Sequence, residues 1–195
     1  MLAIILLGVV NVHARTCNDN ITPTTPDERF IDNGDGTVTD KYAGLIWMRC
    51  SLGQTWNGST CTGNVRQYTW RQALQVAAGY NFAGSSAWRV PDIKQLPSII
   101  ESSCYEPAIN LTIFPQTPDI NSYWTSSPTV NNNDSAWSIN FAFGYDMGGH
   151  KTNRHSVRLV RPDTIDEDGD GVADESDNCL LYANADQLNT DGDTQ

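Results

Sequence analysis

The spacing of apolar and polar positions changes period twice along the chain. Between Arg29 and Cys50, "RFIDNGDGTVTDKYAGLIWMRC", two short apolar stretches flank a Gly/Asp/Asn cluster, the pattern of a β-hairpin. The segment "TWRQALQVAAGY" switches to helical spacing, with Trp70, Ala73, Leu74, Ala77 and Ala78 on one face. Thr69 is placed to cap that helix and Gln72 to complete a capping box. In "WRVPDIKQLPSIIE" a second helix is predicted from Asp92, with Gln95 at the reciprocal capping position and Pro97 kinking or shortening it. After that the period returns to two. "AWSINFAF" alternates Trp137, Ile139, Phe141 and Phe143 with Ala136, Ser138, Asn140 and Ala142, and "HSVRLVR" alternates Val157 and Leu159 with Arg158 and Val160. Helices in the middle and strands at both ends predict a compact α+β domain whose first and last strands pair.

The ends of the chain read differently. "MLAIILLGVVNVHA" is an apolar run closing on Val12-His13-Ala14, a small-residue pattern that fits signal-peptidase cleavage, although no Lys or Arg precedes it. It is far shorter than the roughly 20 residues a membrane-spanning helix needs, and no later segment is apolar enough to span. Residues 1–14 are therefore expected to be a signal peptide, and the rest secreted or held at the cell surface. All five cysteines follow it, and in an exported chain they point to disulfides before metal ligands or nucleophiles. Cys50 and Cys61 bracket "CSLGQTWNGSTC" and are the obvious local pair, a closure worth about 3 kcal/mol in the chain-entropy picture. Cys17 and Cys104 would then staple an N-terminal arm, residues 15–28, to the body. Cys179 is left over and asks for a partner elsewhere.

Charge divides the chain. The net charge is −11, yet from Asp163 to Gln195 there are eleven acidic residues and no Lys or Arg. The other 12 acidic residues lie between Asp19 and Asp146, balanced by all 12 Lys and Arg. A neutral body, residues 29–162, thus precedes an acidic tail, residues 163–195. An acidic, exported chain without a wide basic surface argues against nucleic-acid binding.

Two stretches look alike: "DNGDGTVTD", residues 32–40, and "DEDGDGVAD", residues 166–174. A calcium loop needs oxygens at alternate positions and then a Gly that lets the chain turn around the ion. The tail meets this. Asp166, Asp168 and Asp170 stand at positions 1, 3 and 5, Gly171 at the turn, the Val172 carbonyl next, and Asp174 and Asp177 at positions 9 and 12. So many carboxylates without a nearby cation would repel one another unless a hard, oxygen-preferring ion sat among them, and Ca2+ is the expected cofactor. The early stretch fails. Counted from Asp32, Gly34 and Gly36 fall where ligands belong; counted from Asn33, Val38 stands where the turning Gly should be. Asn-Gly and Asp-Gly are tight-turn signals instead.

The motifs "RFIDNGDGTVTDKYAGLIWMRC", "TWRQALQVA", "WRVPDIKQL", "YWTSS" and "HSVRLVRP" resemble, in this order over residues 29–162, a bacterial family named for the C-terminal domain of the Legionella collagen-like adhesin. The resemblance implies a C-type lectin-like fold with two helices and an antiparallel sheet. It also implies adhesion, glycosaminoglycan binding and a homotrimer, as for the adhesin. Residues 166–193, "DEDGDGVADESDNCLLYANADQLNTDGD", are similar to a thrombospondin type 3 repeat. They depart from it at Asn189, where Asp is usual, and the chain stops at Gln195 inside a second ladder of Asn189, Asp191 and Asp193. That resemblance implies further repeats after Gln195, one of which would hold the partner of Cys179.

Candidate chemistry in the body is sparse. Beyond the leader only His150 and His155 remain, and no metalloprotease helix, nucleophile elbow or phosphate-binding Gly loop appears. The chain reads as a non-enzyme. The superfamily tie to formylglycine-generating enzymes makes a cysteine-based oxidase the enzymatic alternative. "GGHKTNRHSVRLVRP" has no acidic residue from Gly148 to Arg161 and gathers Lys151, Arg154, His155 and Arg158 as candidate ligands for a sulfated glycan or a host or surface protein. The competing reading is that Arg158 and Arg161 merely solvate a strand and pair with carboxylates. Trp47, Trp70, Trp88 and Trp137 are expected in the core, and Trp56 is expected to be exposed, where it could stack on a sugar. Asn20, Asn57, Asn110 and Asn133 stand in Asn-x-Ser/Thr sites, which matter only in a eukaryotic host. A recognition module of the adhesin type is the leading functional class; a structural head-and-stalk spacer without a ligand is the alternative.

Overall fold

The computed structural model describes residues 15–118 and 122–163. The expected signal peptide, the calcium ladder from Asp166 to Asp177, the second ladder and Cys179 lie outside the described residues. Within them the chain forms β1 (Thr16–Cys17), β2 (Phe30–Asp32), β3 (Thr37–Asp40), β4 (Leu45–Met48), β5 (Thr55–Trp56), β6 (Cys61–Thr62), α1 (Trp70–Ala78), β7 (Cys104–Tyr105), β8 (Ser122–Pro128), β9 (Ser135–Asn140), β10 (Tyr145–His150) and β11 (Val160–Pro162). All named strand pairs are antiparallel. They make a four-stranded sheet ordered β11-β4-β3-β2, a three-stranded sheet ordered β10-β9-β8, and two short pairs, β1-β7 and β5-β6. With one α-helix, this is a small α+β domain.

The last strand does not pair with the first of its sheet. β11 lies against β4, with Val160 opposite Trp47, and β2 forms the far edge. β3 is already paired on both sides by its sequence neighbours, and all four residues of β4 are buried, so β4 is the edge that must be covered.

Period-two alternation sorts side chains between two cores rather than between core and water. Leu45 and Trp47 face one cluster with Val38, Phe114, Tyr123, Ile139 and Val160. Ile46 and Met48 face another with Ala73, Ala77, Trp88, Trp124, Val157 and Leu159. Both faces of this sheet are therefore covered. The expected inside–outside reading of "HSVRLVR" is overturned, since Val157, Arg158, Leu159 and Val160 are all buried.

The helix forms where expected. Thr69 accepts from the Gln72 amide, Gln72 returns the bond to the Thr69 amide, and Ala73 and Ala77 point into the core. Trp70 and Leu74 are half-buried and Ala78 is exposed, so the apolar face is narrower than the sequence suggests. The second helix does not form. Asp92 and Gln95 make their reciprocal bonds, but only a 3-10 turn, Leu96–Ile99, follows. Pro97 has no amide to give the next helical bond, and Ile100 is already extended.

At residues 32–37 the carboxylates build the turn. The Asp32 Oδ1 accepts from the Gly34 amide, and the Asp35 Oδ1 accepts from the Thr37 amide and hydroxyl. Gly36 has φ +90°, and a Cβ there would meet the Trp56 ring at 2.8 Å. Trp56 is accordingly half-buried, lying over that turn with the Arg49 guanidinium 4.3 Å from its ring centre, and Arg49 pairs with Asp32 at 2.5 Å. The expected exposure of Trp56 is thereby corrected. The ring is the packing surface for a turn whose glycines supply no side chains of their own.

Disulfides join Cys50 to Cys61 and Cys17 to Cys104. The second ties the N-terminal arm to β7, and Glu101 completes the attachment. Its buried carboxylate accepts from the amides of Thr24, Thr25 and Ser103 and from the hydroxyls of Thr25 and Ser103. The arm is thus stitched into the domain through a side chain that has no cation within ion-pair distance among the described residues.

Candidate functional site: a basic groove at the helix N-terminus

The N-terminus of α1 is anchored on both sides. The Trp70 indole donates to the Thr125 carbonyl and the Trp124 indole to the Tyr68 carbonyl, each at 2.8 Å, fixing the residues before the helix on β8. On the other side the chain leaving β10 folds back. The Trp70 amide donates to the Lys151 carbonyl, and Tyr68 and His155 exchange both backbone bonds. Between these segments lies a groove of about 610 Å3. Its walls are Arg66, Gln67 and Tyr68 from the approach to the helix, Gln72, Gln75 and Val76 from the helix, and Arg154 from the returning segment.

Arg66 is brought there by packing. Its amide donates to the Leu52 carbonyl at 2.8 Å, and Gly53, at φ +98°, leaves room that a Cβ would fill within 2.6 Å of that nitrogen. Arg154 is exposed and spends one Nη1 bond on the Gln67 carbonyl, 3.2 Å, leaving other guanidinium donors free to meet a ligand. Neither arginine is within ion-pair distance of a carboxylate among the described residues, where the only salt bridges are Arg29–Asp40 and Arg49–Asp32. Among the described residues the groove thus offers two guanidinium groups without a carboxylate partner, glutamine amides and one aromatic ring, with no acid in its lining.

The four residues expected to form one basic patch do not act together. Arg154 alone lines the groove. Lys151 sits beside it, its Nζ on the Asn133 carbonyl at 2.6 Å and 4.6 Å from the Trp70 ring centre. His155 is half-buried edge-on against Trp124, ring centres 4.2 Å apart, with its Nε2 buried and unpartnered. Burial lowers its pKa and favours the neutral ring, so its contribution to stability is complete above the ordinary value and falls away as the medium acidifies below it.

Arg158 is the clear correction. It is fully buried, donating from Nη1 to the Met48 and Arg49 carbonyls and from Nη2 to the Thr117 hydroxyl at 2.7 Å, with Phe114 under the guanidinium at 4.7 Å. It neither reaches a ligand nor pairs with a carboxylate; it satisfies the backbone where β4 ends. Arg161 lies half-buried, 5.6 Å from the Trp88 ring centre. Charge counting along the chain could not separate these roles, because an arginine in an alternating strand looks the same whether its face is wet or covered.

The remaining wall residues, Arg66, Gln67, Tyr68, Gln72, Gln75 and Val76, escaped the sequence reading as site residues. Gln72 was legible only as a cap, and Arg66 stands in an irregular segment with no periodicity to mark it.

The sequence of the described domain has its counterpart in one family. Residues 36–161, more than half of the chain, match the family model of the Lcl C-terminal domain. The chain belongs to this family. An Lcl C-terminal domain is an adhesin-associated surface module, and the two disulfides agree with an extracellular or surface setting. No helix among the described residues is long and apolar enough to cross a membrane. The matched span covers the groove and ends before the acidic tail, where a thrombospondin-like repeat is expected from the sequence. No curated protein matches the chain.

Proposed function

We propose that this domain is a recognition module with a C-type lectin-like fold that binds an acidic glycan, sulfated or carboxylated, in the groove at the α1 N-terminus. The carrying observation is the pair Arg66 and Arg154, two guanidinium groups on one groove with no carboxylate partner among the described residues. Arginine forks match sulfate and carboxylate oxygens, Gln72 and Gln75 serve as donors and acceptors to hydroxyls, and Tyr68 offers a ring edge. Recognition is favoured over oxidation because the described cysteines are closed as disulfides and leave no thiol to react. A heparin-derived oligosaccharide titrated into the full chain tests the reading. Arg66→Ser with Arg154→Ser should weaken binding by at least about tenfold, each lost charge-assisted contact being worth roughly 1.5–3 kcal/mol, while the melting temperature holds. Equal affinity in the variant removes the groove; no binding by the parent chain leaves the spacer reading.

In the same proposal the tail binds calcium through Asp166, Asp168, Asp170, the Val172 carbonyl, Asp174 and Asp177. Support comes from the ligand spacing alone; among the described residues no group of three His, Cys, Asp or Glu could hold a metal. Zinc is disfavoured because no His lies in the tail and Cys179 stands alone. Calorimetry of the full chain should give calcium binding with a dissociation constant of about 0.1–1 mM, abolished by Asp168→Ala with Asp170→Ala. Equal heats from both proteins would make the ladder a charged linker.

A further inference from the structure

The turn after β9 puts an aromatic ring into water. Ile139 and Phe141 are fully buried, yet Phe143 is 58% exposed. Its backbone is fixed. The Asn140 Oδ1 accepts from the Ala142 and Phe143 amides, and the Gly144 amide donates to the Asn140 carbonyl. Gly144 has φ +72°, and a Cβ there would meet the Ile100 side chain at 2.8 Å, so the turn seats on the core and presents the ring outward. The Glu106 amide donates to the Ala142 carbonyl at 2.7 Å and brings Tyr105, 46% exposed, to the same place. The N-terminal arm forms the other wall, held by the Cys17–Cys104 disulfide and by the Asn18 amide on the Ser103 carbonyl at 2.8 Å. A cavity of about 590 Å3 results, with Asp19, Asn20, Ile21, Ser102, Tyr105 and Phe143 in its lining.

We propose that this cavity is a second binding site, for an uncharged pyranoside. The Asp19 carboxylate, the Asn20 side-chain amide and the Ser102 hydroxyl have no bonding partner among the described residues. No Lys or Arg lines the cavity. Arg15, close by in sequence, directs its guanidinium to the Cys17 sulfur and the Ile109 carbonyl. Exposed rings beside unspent polar groups suit a sugar. The C–H face of a pyranose lies on the electron-rich face of a ring, the carboxylate accepts from neighbouring hydroxyls, and the amide and serine both donate and accept. A sulfated or carboxylated glycan would meet Asp19 with no cation in the lining to offset it. A purely apolar partner would leave these polar groups covered and unpaired, and an ammonium ligand offers no acceptor to the Asn20 and Ser102 donors. The cavity shares no residue with the basic groove, and the assignment does not rest on it.

Saturation-transfer NMR of the full chain with cellobiose, lactose, maltose and di-N-acetylchitobiose tests the assignment. Transfer to the ring C–H protons of at least one of these sugars is expected, and it should survive excess heparin oligosaccharide. Phe143→Ser should raise the dissociation constant at least about tenfold and Asp19→Ala at least about fivefold, with the melting temperature held because both side chains are exposed. No transfer to any of the four sugars, transfer abolished by the heparin oligosaccharide, or unchanged affinity in either variant would overturn the proposal. Choline bound in place of the sugars would overturn it in favour of an ammonium pocket. Sedimentation altered by Phe143→Ser in a chain that binds none of the sugars would overturn it in favour of a contact between copies.

Discussion

Arg158→Met should cost about 3–5 kcal/mol of folding stability, one of the largest losses available to a single substitution in this domain. Methionine fills much of the space but supplies no donor. The Met48 and Arg49 carbonyls and the Thr117 hydroxyl would lose the donors they have in the guanidinium. Leaving a buried acceptor unpaired costs roughly 1–3 kcal/mol, and no water-facing route relieves it because the residue is wholly buried. Burial pulls the guanidinium down to about 10, with the Tyr123 hydroxyl pulling the other way, so it remains a cation at neutral pH. Arg158→Lys keeps that charge and loses the fork, and should recover only a minor part of the loss. Urea unfolding of the two variants checks this. A stable Arg158→Met protein that has lost glycan binding would instead return the residue to the surface patch.

Glu101→Gln should lower stability by about 3 kcal/mol near neutrality, a deficit that shrinks in acid. Burial alone would raise this carboxyl, but the bonds from Ser103 and Thr25 outweigh it and hold the group at about 2 against an ordinary 4.5. The folded value is the lower one. The stabilisation is therefore complete above about 4.5 and lost as pH falls through about 2. In glutamine one oxygen becomes a donor facing other donors, and nothing titrates. Unfolding curves of parent and variant from pH 7 to 2 should converge. Parallel curves would show that the carboxylate's charge is not what holds the arm.

Local chemistry was legible along the chain wherever a few neighbouring residues decide the outcome. The hairpin at 32–37 needs only Asn-Gly and Asp-Gly, the α1 start needs only Thr69 and Gln72, and the 50–61 loop needs only two cysteines of short separation. The failed second helix sits at the limit of that rule. Its capping residues behave as their types predict, but the missing Pro97 amide outweighs them.

Tertiary structure alone decided which surfaces meet water. Period-two spacing states that two faces differ in direction, and says nothing about whether one or both are covered. The four-stranded sheet is covered on both, which is why Arg158, just before its last strand, is a buried clasp and not a surface charge. Trp56, in the separate β5–β6 pair, covers the Gly36 turn, a contact only the fold brings about. The groove was invisible for the same reason. Arg66, Gln72 and Arg154 come from an irregular segment, a helix and a returning loop, and are joined by indole bonds to β8 and by the Tyr68–His155 bridge. Residue types set what each side chain can bond to; long-range packing sets which of those bonds remain for a ligand.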